Sequence, residues 1–194
     1  MKKVIIVMLI ALIIPACIFA GRGLFDLTLG AAASTTYTPK MIKEGALENF
    51  KFGDITWGLD TEIKIAFAAV DAKVMYAPEA KAIYGNVSAN LALDIFFVRV
   101  KAGLGYEYTY DIDDKTMWYG NCNNAVTSFD DFKDAAFDIN VGVDFLLGDL
   151  TIGAYANLPT STTIANGDWA GVFNNAKEHW EDAQIGLVVG IALL

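Results

Sequence analysis

The chain is poor in the features that usually hold or charge an exported protein. Of its two cysteines, Cys17 lies in the first twenty residues and Cys122 alone lies beyond them, so no internal disulfide framework staples the fold. His179 is the only histidine and cannot make a metal site alone. Basic residues are scarce: 14 Lys and Arg face 23 Asp and Glu, a net charge of −9. That deficit excludes a nucleic-acid partner and a basic patch for anionic headgroups. The chain is 55% hydrophobic with a positive mean hydropathy, yet its only long continuous apolar run is Val4 to Ala20. A bundle of membrane helices is therefore excluded.

That apolar run follows Lys2 and Lys3 and ends in a small residue, the pattern of a secretory signal peptide. Residues 1–20 are read as the signal, with cleavage after Ala20, and residues 21–194 as one domain. Two alternatives stand beside this reading. One is an uncleaved helical anchor, for which the run is short. The other is acylation, since Ile14-Pro15-Ala16-Cys17 resembles a bacterial lipobox. Without Lys2 and Lys3, 12 basic residues oppose 23 acidic ones, a mature charge of −11.

What the remaining chain has is alternation. From Val98 to Tyr110, Val98, Val100, Ala102, Leu104, Tyr106, Tyr108 and Tyr110 share one face of an extended strand. Arg99, Lys101, Gly103, Gly105, Glu107 and Thr109 share the other. The run exceeds the usual soluble strand of about 5–6 residues and reaches the length of about 9–11 that crosses a bilayer. The same period predicts strands over 25–31, 55–67, 70–76, 87–95, 137–147, 150–158 and 183–193. With 98–110 they number eight, joined alternately by long and short connections. Four longer loops then gather at one end and three tight turns at the other, with Gly148-Asp149 one of the turns. No segment reads as an amphipathic helix. The fold class expected is all-β, an eight-stranded antiparallel up-and-down transmembrane β-barrel.

A soluble lipocalin-like barrel would bury the apolar face instead. The polar face, however, carries Gly58, Gly103, Gly105, Gly142, Gly153, Gly186, Gly190 and Ala92, small residues that suit a crowded lumen. Aromatics also collect at strand ends. Phe25, Phe67, Phe96, Phe97 and Phe145 lie by the turns, and Trp57, Tyr76, Tyr108, Tyr110 and Phe137 toward the loops, as two interfacial belts would.

On these patterns the chain resembles the small outer-membrane barrels of diderm bacteria: the transmembrane domain of outer-membrane protein A, and outer-membrane proteins X and W. The resemblance covers the whole mature chain and rests on pattern. In the last strand, Gln184, Gly186, Val189 and Ile191 are similar to the barrel-assembly signal, although the chain ends in Leu194 and not Phe. The resemblance implies residence in the outer membrane, outer-membrane lipid and the assembly machinery as partners, and no cofactor.

The inward face gathers Asp26, Asp60, Glu62, Asp94, Glu107, Asp138 and Asp144 against Lys64, Lys73, Arg99 and Lys101. Two readings are open: an ion path, or a lumen filled with salt bridges, which a barrel this narrow requires. Asp111, Asp113, Asp114, Asp130 and Asp131, with Asn121, Asn123 and Asn124 between, lack the Gly and terminal Glu of an EF-hand and read as a solvated acidic loop. His179 shares its loop with Ser161, Glu178 and Glu181, but no serine sits at a strand position facing it. Trp169, Phe173 and Trp180 mark the last loop as a contact surface, a leaflet anchor or a cover over the mouth. Three functions follow: a non-enzymatic surface barrel meeting an extracellular ligand through its loops, a narrow channel for small hydrophobic or cationic solutes, or an enzyme acting on lipid A. The scarcity of catalytic residues favours the first.

Overall fold

The computed structural model describes residues 23–35, 38–45, 48, 50–119, 128–169 and 172–194. Residues 1–20, expected to be a signal peptide, Cys17 among them, lie outside these, as do Cys122, Asn121, Asn123, Asn124 and the side chains of Asp130 and Phe173. Among the described residues nine strands form: β1 (Phe25–Thr35), β2 (Ile55–Ile65), β3 (Ala68–Ala77), β4 (Ala82–Ile95), β5 (Val98–Asp111), β6 (Thr116–Tyr119), β7 (Ala136–Leu147), β8 (Leu150–Thr163) and β9 (Gln184–Ala192). Each pairs antiparallel with its neighbours. β4 closes onto β5, and β1 onto β9, so eight strands make a ring. β6 stands outside that ring as the returning arm of a hairpin that prolongs β5 through Tyr108–Tyr119.

Period-two alternation decides which way each side chain points, and the outcome is inverted relative to a soluble barrel. Leu59 is 71% exposed on the outer wall, whereas Arg99 is 0% exposed in the lumen. Val70, Val74, Val87, Leu91, Val100, Val141, Ile152, Leu187 and Val189 continue the exposed apolar wall. In water this arrangement would leave its hydrophobic surface unburied and enclose its charges; in hydrocarbon it satisfies both. The barrel is a transmembrane one. Its register also follows from charge. Asp26 stands opposite Lys64, Asp60 opposite Lys73, and Arg99 between Asp94 and Asp144. A slip of one residue would turn these charges outward into lipid.

At one end the connections are two residues each: Ala66-Phe67, Phe96-Phe97 and Gly148-Asp149. The first residue of each has positive φ, 55°, 57° and 65°. The second gives its carbonyl to the next hairpin: Phe67 O accepts from Ala92 N, Phe97 O from Leu146 N, and Asp149 O from Ala192 N. Leu193 N donates to Leu27 O at 2.8 Å, carrying this lattice across the closure.

The other end departs from expectation in several ways. β3 and β4 join through residues 78–81 only, so three connections are long and not four. β4 starts at Ala82, because Ile83 and Tyr84 still find partners in Tyr110 and Thr109. β8 runs on to Thr163 past a register shift opposite Phe137, whose carbonyl accepts from the Thr160 hydroxyl at 2.6 Å. The bulge restores pairing beyond Pro159, which lacks an N–H. Two short helices occur in the loops, α1 (Pro39–Lys43) and α2 (Val172–Glu178). Thr38 caps α1, accepting from Met41 N, with Pro39 at the first helical position. Lys43 of α1 lies 2.6 Å from Glu181 and 4.3 Å above the Trp180 ring, joining the first and last loops.

The turn-side belt is exposed as expected. On the loop side Trp57 is exposed and packs edge-on against Tyr76, but Phe137 is buried between Tyr106 and Trp169, 4.4 and 5.0 Å away. Trp169 therefore covers part of the wall. Tyr108 lies flat over Gly85, where any Cβ would collide with its ring.

The wall assignment predicts that Leu59→Arg lowers stability by about 2–4 kcal/mol in urea titrations of barrel folded in lipid vesicles. A soluble barrel would tolerate arginine at a position this exposed.

Candidate functional site

Eight tilted strands enclose a space just wide enough for side chains to fill. In the turn-side half it is filled by charge. The Arg99 guanidinium makes a two-pronged contact with Asp94, Nε to Oδ1 at 2.7 Å and Nη2 to Oδ2 at 3.1 Å. Nη2 also donates to Asp26 at 2.7 Å and Nη1 to Glu62. The planar fork lets one cation satisfy acids from β1, β2 and β4 together. Lys64 reaches Asp94 at 3.1 Å. Lys101 meets Glu62, Asp71 and Asp144 at 2.5, 3.1 and 3.0 Å. Lys73 completes the chain with Asp60 and Asp71 at 3.2 and 3.1 Å. Four cations and six acids thus form one connected network.

Above it lies an apolar layer of Ala32, Met75, Tyr155 and Val188. Tyr155 crosses from β8 to donate to the Met75 sulfur at 3.4 Å, and the Lys73 ammonium sits 4.8 Å from its ring. The ring lies against Gly186, where a Cβ would come within 2.4 Å of it. Among the described residues, the space between the network and this layer is a void of about 10 Å³, room for about one water.

The loop-side half is different. A cavity of about 190 Å³ opens there, lined by Thr56, Tyr84, Glu107, Asp138, Asn157 and Gln184 among others. Glu107 and Asp138, expected within the charge network, stand apart from it, because among the described residues every lumen cation belongs to the turn-side half. The structure brings together the other nine charges expected on the inward face: Asp26, Asp60, Glu62, Lys64, Lys73, Asp94, Arg99, Lys101 and Asp144.

Sequence reasoning missed Asp71, Met75 and Tyr155. Asp71 falls just after the Ala66-Phe67 turn, where the apolar residues change from odd to even positions, and so it is not among the inward charges expected. Counting back from Lys73 in steps of two would have found it. Met75 and Tyr155 stand on the polar face and carry no charge to announce them.

At the rim, Asp111 Oδ1 accepts from the N–H groups of Asp113 and Asp114 at 2.8 and 2.9 Å, an Asx turn that shapes the hairpin. Asp113 pairs with Lys81 at 2.7 Å, and this hydrogen bond raises the lysine above its ordinary pKa. The acidic loop is thus spent partly on its own geometry. His179 stands 3.6 Å from Asp182. Contrary to expectation a strand serine does approach it, since the extended β8 places Ser161 in a groove with His179 and Asp134. Among the described residues no hydrogen bond joins the Ser161 hydroxyl to His179. Of the assembly-signal residues, Gln184 and Gly186 face the lumen, and Val189 and Ile191 the outer wall.

No protein-family model and no curated protein matches the chain. Among solved structures it is similar to Neisserial surface protein A, at 11% identity and a TM-score of 0.38, over 89% of this chain and 97% of that one.

The network predicts that Arg99→Ala, which leaves Asp26, Glu62 and Asp94 enclosed without their shared cation, costs about 3–5 kcal/mol in urea unfolding from lipid.

Proposed function

We propose that this chain is a non-enzymatic outer-membrane β-barrel with a surface-interaction role, its acidic loops turned to the outside. The observation that carries the reading is the pairing of an apolar outer wall with a lumen closed by salt bridges. Such a barrel offers the environment its loop end rather than a pore. The placement of tight turns at one end and long loops at the other supports loops outward, as in outer-membrane barrels. Outer-membrane lipid would cover the wall. The last strand, through Gln184, Gly186, Val189 and Ile191, would be read by the barrel-assembly machinery, and residues 1–20 would direct export.

The channel reading has less support, because the network and the Tyr155 layer leave little free space. The enzyme reading has one observation in its favour, the groove shared by Ser161, His179 and Asp134.

The reading predicts a heat-dependent mobility shift in SDS electrophoresis, since a closed barrel satisfies its own backbone hydrogen bonds. Protease added to intact cells should cut within residues 112–135, and planar bilayers should show no unitary conductance steps. Cleavage only after the outer membrane is opened would reverse the orientation. Steps that grow in Arg99→Ala would favour the channel. Loss of a lipid A modification in His179→Ala would favour the enzyme.

A further inference from the structure

Three buried acceptors in the wall of the loop-side cavity have no partner among the protein atoms. Asp138 is 6% exposed, and its Oδ2 has no hydrogen-bond partner among the protein atoms. Asn157, 2% exposed, leaves Oδ1 unpartnered, and Thr56, 1% exposed, leaves its hydroxyl so. These three come from β7, β8 and β2 and line the same space as Glu107 from β5. Buried polar atoms in folded proteins nearly always have partners, and each orphan costs about 1–3 kcal/mol. Three such groups converging on one cavity, one of them a carboxylate and all beside the carboxylate of Glu107, define a place for donors carrying positive charge.

We propose that this cavity binds a small organic cation bearing an ammonium or guanidinium group, with Glu107 and Asp138 as its counter-charges and Asn157 and Thr56 as further acceptors. Among the described residues no lysine, arginine or histidine lines it, so the charge comes from the ligand. A bare metal ion fits less well. Among the described residues no three Asp, Glu, His or Cys side chains gather closely enough to hold one. A space of about 190 Å³ also exceeds what a single dehydrated ion fills, but admits a short amine. The neutral amide oxygen of Asn157 on the adjoining β8 and the Thr56 hydroxyl on β2 accept N–H donors well, and Tyr84 adds an aromatic surface that favours cations. The Tyr155–Met75 layer beneath lets the amine enter and not pass.

The proposal rests on the barrel and its lumen, and not on which way the loops face. It is tested by titrating putrescine into the refolded full-length barrel by calorimetry, with sodium and calcium chloride as comparisons. Saturable putrescine binding is expected, weakened about tenfold in Asp138→Asn and in Glu107→Gln, the loss of one charge-assisted hydrogen bond. Both variants remove a buried charge and should keep the heat-dependent shift in SDS, which separates lost binding from lost fold. Absence of saturable binding, binding unchanged in both variants, or calcium binding in place of putrescine would each overturn it.

Discussion

The structure depends on the demand that charges inside a narrow barrel neutralise one another. Arg99 meets that demand at the centre, with donors directed at Asp26, Glu62 and Asp94 on three strands. Removing two charges from water costs several kcal/mol per ion, and their attraction offsets this only when geometry is good and remaining donors and acceptors are used. Here the acids are shared: Glu62 serves Arg99 and Lys101, Asp94 serves Arg99 and Lys64, and Asp71 serves Lys101 and Lys73. Sharing makes the pairs cooperative and ties β1, β2, β3, β4, β5 and β7 to one register. The network's contribution is thus chiefly specificity. A shifted strand would leave an uncompensated charge, a larger penalty than any one pair is worth.

The wall obeys a separate constraint. Every strand of the eight-membered ring has two neighbours, so the ladder supplies partners that hydrocarbon cannot. The two-residue turns extend this satisfaction past the strand ends, since Phe67, Phe97 and Asp149 hand their carbonyls to the adjoining hairpin. On the loop side side chains take over that work: Thr160 for Phe137, Asp111 for the hairpin turn, and Lys43 between the first and last loops. One end is fixed by backbone geometry and the other by particular side chains. Variation is therefore easier at the loop end.

The barrel was legible because alternation is a local property with a long-range consequence. Ile63, Lys64 and Ile65 each announce a side of the wall without reference to any other strand, and eight such runs leave only closure to be inferred. What could not be read were features set between segments. The bulge opposite Phe137 depends on Pro159 lacking an N–H and on Thr160 standing within reach of a carbonyl. Without that bulge β8 appears to stop at Leu158, and Ser161 appears to belong to a loop far from His179. The brevity of the β3–β4 connection was hidden by Ala82 and Gly85, which interrupt the alternation without interrupting pairing. Phe137 read as an interfacial aromatic, since nothing in its own strand reveals that Trp169 folds over it.

Nine of the eleven expected lumen charges meet in the network, and the two that do not are informative. Alternation places Glu107 and Asp138 on the inward face, as it does the others, but says nothing of depth along the barrel. Their depth decides their chemistry. The four cations sit within reach of the turn-side acids, and the Tyr155–Met75 layer separates them from the loop-side cavity. A lumen built only to support the wall would carry its charges in balance along its length, because an unmatched buried carboxylate weakens the fold. In this one the turn-side half sets four cations among six acids, each acid paired, and among the described residues the loop-side half holds acids alone. The imbalance lies at the end reached from the loops, next to amide and hydroxyl oxygens that the fold itself leaves unused. Stability explains the turn-side half fully, and the loop-side half is intelligible as a surface kept for something that arrives from outside.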